Sequence, residues 1–256
     1  MGGNIASEQL ETFRAYFRNF SNQYILIGGT AVQLHLKNAG LSARSTKDMD
    51  IVFCVEALTL DFVTVFWQFI KEGNYMYHHK SSKEKCFYRF SNPSTNKYPS
   101  MIEIFSENFN SLHDLAPGKI VPLRVDDESV SLSAILLNKV YYNFLIKHHI
   151  VIDNMAVADF RVIIPLKANA FLDLSKRKLL GEIISQRTIN KHKNDIFRLT
   201  QLLTYEPLEN VPQQIKTDIT DFILRIGVDD VDLRQLSVNH ITLDDIKNIL
   251  TFVYCL

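Results

Sequence analysis

Asp48 and Asp50 stand one residue apart in Arg44-Ser-Thr-Lys-Asp-Met-Asp-Ile-Val-Phe53, downstream of the turn Gly28-Gly29-Thr30 that closes the apolar run Tyr24-Ile-Leu-Ile27. In an extended strand alternate side chains share a face, so the two carboxylates project together while Met49 and Ile51 go to the other side. Paired carboxylates repel each other, and a divalent cation between them removes the repulsion. A pair of this kind suits Mg2+ that also holds phosphate groups. The glycines add the complementary half, because a Gly-Gly turn from strand into helix aims free backbone N–H groups and the positive helix end at an anion. Metal-bound phosphate is the chemistry these spacings point to.

Three further segments carry charge against the local pattern. Glu103, in Ser100-Met-Ile-Glu-Ile-Phe105, interrupts an apolar strand. An unpaired charge there is costly, so the residue needs a metal or a cation as partner, unless it points to solvent from an edge strand or pairs with a lysine. Lys167 shares a helical stripe with Ala170, Phe171 and Leu174 if Pro165 occupies the first turn of its helix. A lysine on that face needs an anion, either a nucleotide phosphate or a carboxylate such as Asp195, unless its stem runs along the surface to water. If the partner is a nucleotide, removing the lysine's charge should stabilise the ligand-free protein. Finally, Asn190-Lys-His-Lys-Asn-Asp-Ile-Phe-Arg-Leu199 reads as the opening of a helix with stripe Ile196, Leu199, Leu202 and Leu203. That places Lys191 and Lys193 in its first turn, opposing the helix dipole at about 0.3 to 1 kcal/mol each. Such an arrangement suits an anion site; the alternative is a solvated basic face with Asp195 as the dipole's partner.

These groups need elements to hold them. Helical spacing predicts a helix over Ser7–Phe17, then a strand over Tyr24–Ile27, a helix after Gly29, a strand over Asp48–Val55 and a helix over Leu60–Ile70. Cys86–Phe90 and Met101–Phe105 read as a hairpin across the turn-rich Ser91-Asn-Pro-Ser-Thr-Asn96, and Lys119–Val125 as a further strand. Asp126-Asp127-Glu128 looks like a solvated hinge, and the chain beyond it is mostly helical, including Leu132–Ile146. The fold class is therefore α+β: a small mixed sheet flanked by helices over residues 1–128, then a mostly helical domain over 129–256 that completes the cleft.

Composition is compatible with an enzyme of two parts. The chain has 256 residues, 46% of them hydrophobic, enough for substantial cores. No apolar run approaches a membrane span and the N-terminus lacks a signal-peptide core, so the expected setting is the cytoplasm. Cys54, Cys86 and Cys255 are odd in number and widely spaced, which gives neither a disulfide framework nor a zinc site. The adjacent pairs His78-His79 and His148-His149 diverge on any regular element and do not chelate one metal. The net charge is zero but uneven: Lys and Arg number 11 against 5 Asp and Glu over residues 131–205, and 4 against 9 over 206–256. A basic middle segment fits a phosphate-bearing substrate, while the acidic tail argues against indiscriminate coating of nucleic acid.

The order apolar strand, Gly28-Gly-Thr-Ala31, short helix, Arg44-x-Thr-x-Asp-x-Asp50 resembles the nucleotidyltransferase superfamily with a DNA polymerase β-like core, and within it the AbiEii/AbiGii-type toxin family. Ser131-Leu-Ser-Ala-Ile-Leu-Leu137, Ile164-Pro-Leu-Lys-Ala168 and Lys191-His-Lys-Asn-Asp-Ile-Phe-Arg-Leu199 look like that family's later blocks, in order. The departure is Thr30 where Gly-Ser is usual, one hydroxyl for another. The resemblance implies a metal-dependent nucleotidyltransferase in which Asp48, Asp50 and Glu103 hold Mg2+ or Mn2+ and do the chemistry. Gly28, Gly29, Thr30, Lys167, Lys191, Lys193 and Asp195 would hold the nucleoside triphosphate, ATP or GTP. It further implies an RNA or tRNA acceptor and a toxin–antitoxin setting with a separately encoded antitoxin. The competing classes are a small-molecule or protein nucleotidyltransferase, and a non-catalytic nucleotide-binding module.

Overall fold

The computed structural model of the protein describes residues 7–77, 87–105, 138–227 and 232–256. The first half of the chain runs α1 (Ser7–Phe17), β1 (Tyr24–Ile27), α2 (Gly28–Asn38), β2 (Asp48–Phe53), α3 (Leu60–Glu72), β3 (Met76–Tyr77), β4 (Phe87–Ser91) and β5 (Met101–Phe105). It continues with α4 (Lys139–Lys147), the hairpin β6 (His149–Ile152) and β7 (Met155–Ala158), then α5 (Phe160–Leu179), α6 (Gln186–Thr200), α7 (Gln213–Arg225) and α8 (Leu243–Val253). The fold is α+β, as the sequence implies. The strand expected over 119–125, the hinge at 126–128, the block 131–137 and Cys86 lie outside the described residues.

By their contacts the described residues fall into two compact units. One comprises 7–34, 44–77, 87–105 and 145–159; the other comprises 35–43, 138–144, 160–227 and 232–256. The first unit is built on a mixed sheet of order β3-β4-β5-β2-β1-β7-β6. β2 runs antiparallel to β1 and parallel to β5, and β7 runs parallel to β1. The hairpin β6–β7 was not anticipated. Its signal is a two-residue turn, Asp153-Asn154, with both residues at positive φ between two short apolar runs.

Register sorts every strand residue to one of two faces. Tyr24 pairs with Phe53, and Phe90 with Ile102, so these point the same way as Met49 and Ile51. That face is covered by α1 and α3 through a continuous aromatic layer. Phe53 meets Phe62 and Phe66 at ring-centroid distances of 5.1 and 5.4 Å, Phe90 meets Phe66 at 5.7 Å, and Phe13 meets Tyr24 and Phe69 at 5.4 and 6.0 Å. Most of these rings are fully buried. Pairs of this geometry add about 0.5–1.5 kcal/mol each beyond area burial. The face opposite therefore belongs to Asp48, Asp50 and Glu103.

The second unit is helical, and two expectations about it are corrected. Pro165 does not open its helix, because α5 begins at Phe160 and the proline lies inside it. A proline there has no N–H for the carbonyl of Arg161. That carbonyl accepts a hydrogen bond from the Tyr254 hydroxyl at 2.8 Å instead, so the helix continues through the proline. Likewise α6 begins at Gln186, capped by the Ser185 hydroxyl, which accepts from the Thr188 N–H at 3.1 Å. Lys191 and Lys193 thus stand in the second turn or beyond, outside the reach of the helix's positive end. A network of Tyr141 and Asn169, which donate to Asp218 Oδ2 at 2.5 and 2.8 Å, ties α5 to α7.

Candidate functional site

The site in the first unit begins at the junction of β1 and α2. Gly28 sits at φ +65, in the left-handed region that costs a residue with a Cβ, and there is no room for one either. A Cβ on Gly28 would lie 1.7 Å from Asp50 Oδ2, so the turn backbone rests directly on that carboxylate. A Cβ on Gly29 would lie 2.6 Å from Thr46 Oγ1 and 3.2 Å from Arg44 Nη2. The Gly-Gly pair is thus needed for close approach by the very segment that carries the aspartates. Thr30 is buried, and its hydroxyl donates to the Asp48 carbonyl at 2.9 Å, fastening the start of α2 to the start of β2. Ser100 does the same for β5 by donating to the Lys47 carbonyl at 2.9 Å.

Across the sheet, β2 and β5 pair with Asp48 opposite Met101 and Asp50 opposite Glu103. Residues in register share a face, so the structure aligns the three sequence-predicted carboxylates on one side of two neighbouring strands. Asp50 and Glu103 are 9% and 5% exposed, which makes their charges costly without partners. Glu103 has one that the sequence reading did not name. Arg89, its cross-strand neighbour on β4, donates from Nε to Glu103 Oε1 at 2.6 Å, and its Nη2 pairs with the same oxygen. An arginine of the same sheet therefore stands beside Glu103, and β5 is an interior strand, not an edge.

Two carboxylates on β2 beside a glycine turn have the donor chemistry for a hard divalent cation. The third is turned toward β4, on the side of β5 away from β2. Among the described residues, no three His, Cys, Asp or Glu side chains are grouped to hold a metal ion. The fit to a metal thus rests on Asp48 and Asp50.

The remaining sequence-predicted residues lie in the second unit. Lys167, 5% exposed on α5, pairs with Asp195 Oδ2 on α6 at 2.8 Å, and Arg198 approaches Asp195 Oδ1 at 3.6 Å. Of the two anions the sequence offers Lys167, the structure supplies the carboxylate. Asp195 is fully buried, so it is no exposed partner of a helix dipole. His192 and Lys193 are buried on the same helix, while Lys191 is half-buried. Besides Arg89, sequence reasoning assigned no role to Arg44 or Arg198. The signal for Arg89 was a lone cation in Phe87-Tyr-Arg-Phe90, on the strand next to the one that carries an interior carboxylate.

No family model matches the chain, and no curated protein matches it. Among solved structures, the crystal structure of an antigenic nucleotidyltransferase-like protein from Paracoccidioides brasiliensis is similar over 93% of this chain and 95% of that one, with TM-score 0.45 and 14% identity. A likeness at that score decides neither family nor activity. The AbiEii-type resemblance stands on its motifs alone. Among the described residues, no helix is long and apolar enough to cross a membrane.

Proposed function

We propose that the protein is a metal-dependent nucleotidyltransferase, with Asp48 and Asp50 as the residues that hold Mg2+ and the Gly28-Gly29-Thr30 turn as the phosphate cradle. The observation that carries this reading is the contact of the turn at Gly28 with the Asp50 carboxylate, on the face where Asp48 and Glu103 also lie. Anion-binding backbone and cation-binding carboxylates belong side by side only if the ligand carries both charges, as a metal–triphosphate complex does. When bound, the metal neutralises the phosphates during transfer of a nucleoside monophosphate, with pyrophosphate released. The chain's own work is placement. Thr30 fixes where the helix end meets β2, the glycines admit the aspartates, and buried walls exclude water from Asp50.

The acceptor favoured is a phosphate-bearing one such as RNA, and the support is the excess of six positive charges over residues 131–205. A toxin role with a separately encoded antitoxin, in the cytoplasm, follows from the motif resemblance. A non-catalytic nucleotide-binding module is the second reading, and the Arg89–Glu103 pair favours it, because it engages the third of the carboxylates expected to do the chemistry. Incubating the protein with each labelled nucleoside triphosphate, Mg2+ and total RNA decides between the two. Label transfer lost in Asp50→Asn supports the enzyme; binding without transfer for every nucleotide rejects it.

A further inference from the structure

The connection between α5 and α6 turns its apolar side chains outward. Leu179, Leu180 and Ile183 are 79%, 75% and 100% exposed, three large aliphatics in a single turn. The backbone that carries them is tightly made. Gly181, at φ +97, ends α5 in the left-handed region, and the Glu182 N–H donates to the Arg177 carbonyl and the Gly181 N–H to the Lys178 carbonyl, each at 3.1 Å. An apolar contact across the turn frequently accompanies such a helix end. Here an ion pair crosses it, because the Arg177 guanidinium donates to Glu182 Oε2 from Nε at 2.9 Å and from Nη2 at 2.6 Å. Lys178 Nζ reaches Gln186 Oε1 at 2.9 Å, Ser185 caps α6, and Ile184 is buried. The three aliphatics therefore stand in water on a braced backbone, and a patch of that kind marks a surface that meets something.

We infer that this tip docks on an anionic lipid bilayer. Charge complementarity names the occupant. Residues 176–187 hold four Lys and Arg against one acidic residue, and that one, Glu182, is engaged by Arg177. Lys176, Lys178 and Arg187 are exposed on both sides of the aliphatics. Cations flanking protruding aliphatics match a bilayer, whose anionic headgroups lie just outside its hydrocarbon, so the charges stay at headgroup level while Leu179, Leu180 and Ile183 enter. Nucleic acid supplies the phosphates but no hydrocarbon, and single strands are held by stacking on aromatic side chains, which residues 176–187 lack. A protein partner is anchored more by Trp, Tyr and Arg than by leucine. The attachment is adsorption to a surface; among the described residues no helix is long and apolar enough to cross a membrane.

Sedimentation of the full chain with vesicles tests this, phosphatidylcholine alone against phosphatidylcholine and phosphatidylserine in equal parts. Binding to the mixed vesicles should be at least about tenfold tighter, since each cation near an anionic surface is worth about fivefold, and it should weaken as salt is added. Leu179→Ser combined with Ile183→Ser should weaken it at least about tenfold, the worth of withdrawing a few methylenes from hydrocarbon. Lys176→Gln combined with Lys178→Gln should remove most of the preference for the mixed vesicles. Both variants should melt close to wild type, because the changed side chains already face water. Glycerophosphoserine, the headgroup without its chains, should not compete. Equal binding to the two kinds of vesicle, or binding unchanged in the serine variant, overturns the inference. Competition by the free headgroup overturns it as well, since it would make the tip a phosphate site. Binding of polyglutamate without binding of vesicles overturns it in favour of an acidic protein partner.

Discussion

The protein buries charge in two ways, and the two teach different things. In the sheet-based unit, Asp48, Asp50 and Glu103 come from two strands whose register lines them up, and a glycine turn gives up its side chains to approach them. In the helical unit, Lys167, Asp195 and Arg198 are drawn from two packed helices and pair with one another, with Asp195 fully buried. The first arrangement gathers three carboxylates on one face, with Arg89 paired to Glu103, and sets a glycine turn in the left-handed region beside Asp50. The second gathers opposite charges, and its main cost is desolvation. A face richer in carboxylates attracts a cation; a cluster of opposite charge can be structural by itself. The distinction can be broken by mutation.

The largest effect belongs to the carboxylate face. Asp48→Asn combined with Asp50→Asn is expected to abolish nucleotidyl transfer and Mg2+-dependent triphosphate binding while leaving the melting temperature equal or slightly higher, because a repulsion has been removed. Titration calorimetry with the triphosphate, alongside thermal melting, checks both halves. Undiminished Mg2+-dependent binding would remove these residues from the site. Lys167→Met is expected to do the reverse. It takes from buried Asp195 the cation at 2.8 Å, with Arg198 at 3.6 Å, and breaking a buried pair from one side costs about 3–5 kcal/mol. The sequence alone suggested stabilisation, on the premise that the partner is a nucleotide; the Asp195 contact reverses the sign. Urea denaturation measures it, and a variant as stable as wild type would show that the ion pair is not the lysine's main partner.

How much of this was legible depends on the range of each interaction. Helix α1, β1, β5 and the Asp-x-Asp face of β2 could be read because they depend on local periodicity. The glycine turn could be read because only glycine serves there. Arg89 could not be matched to Glu103, because cross-strand register between segments 14 residues apart depends on how the intervening turn closes. The starts of α5 and α6 were misplaced for a related reason. Ser185 is an ordinary cap in sequence, but Lys191 and Lys193 looked like a more interesting beginning, and Pro165 looked like a first-turn proline. What rescues Pro165 is the Tyr254 hydroxyl, 93 residues away in sequence from the carbonyl it satisfies. No window along the chain contains that information.

A smaller effect separates backbone strain from close approach. Gly28 and Gly40 have nearly the same φ, +65 and +70, yet a Cβ on Gly40 meets nothing within 4 Å. Gly28→Ala should cost about 1–3 kcal/mol and should also weaken Mn2+ binding, because Asp50 must turn away from the new methyl. Gly40→Ala should cost about 1 kcal/mol and leave Mn2+ binding unchanged. Equal Mn2+ affinity in the two variants would mean that the turn does not shape the carboxylate site.

The smallest effect concerns an exposed carboxylate that belongs to neither class. Glu72, at the end of α3, accepts hydrogen bonds from the Tyr16 hydroxyl and, at 2.7 Å, from the Gln68 amide, and these hold its carboxyl below the ordinary value of 4.5. A carboxylate whose folded value is depressed contributes stability above its unfolded value and loses it as pH falls through the folded one. The contribution is therefore present at neutral pH and fades below about 4.5. Glu72→Gln keeps an acceptor for Tyr16 but cannot titrate, so its melting temperature should fall less steeply than wild type's on acidification. Thermal melts of both proteins across the acid range provide the check, and parallel curves would show that Glu72 has no part in acid sensitivity. Since solvent screens this exposed group and water replaces its partners at little cost, the divergence should be far smaller than any effect at Lys167. That ordering, sealed pair above strained turn above solvated carboxylate, is what the contrast between the two units requires of their stabilities.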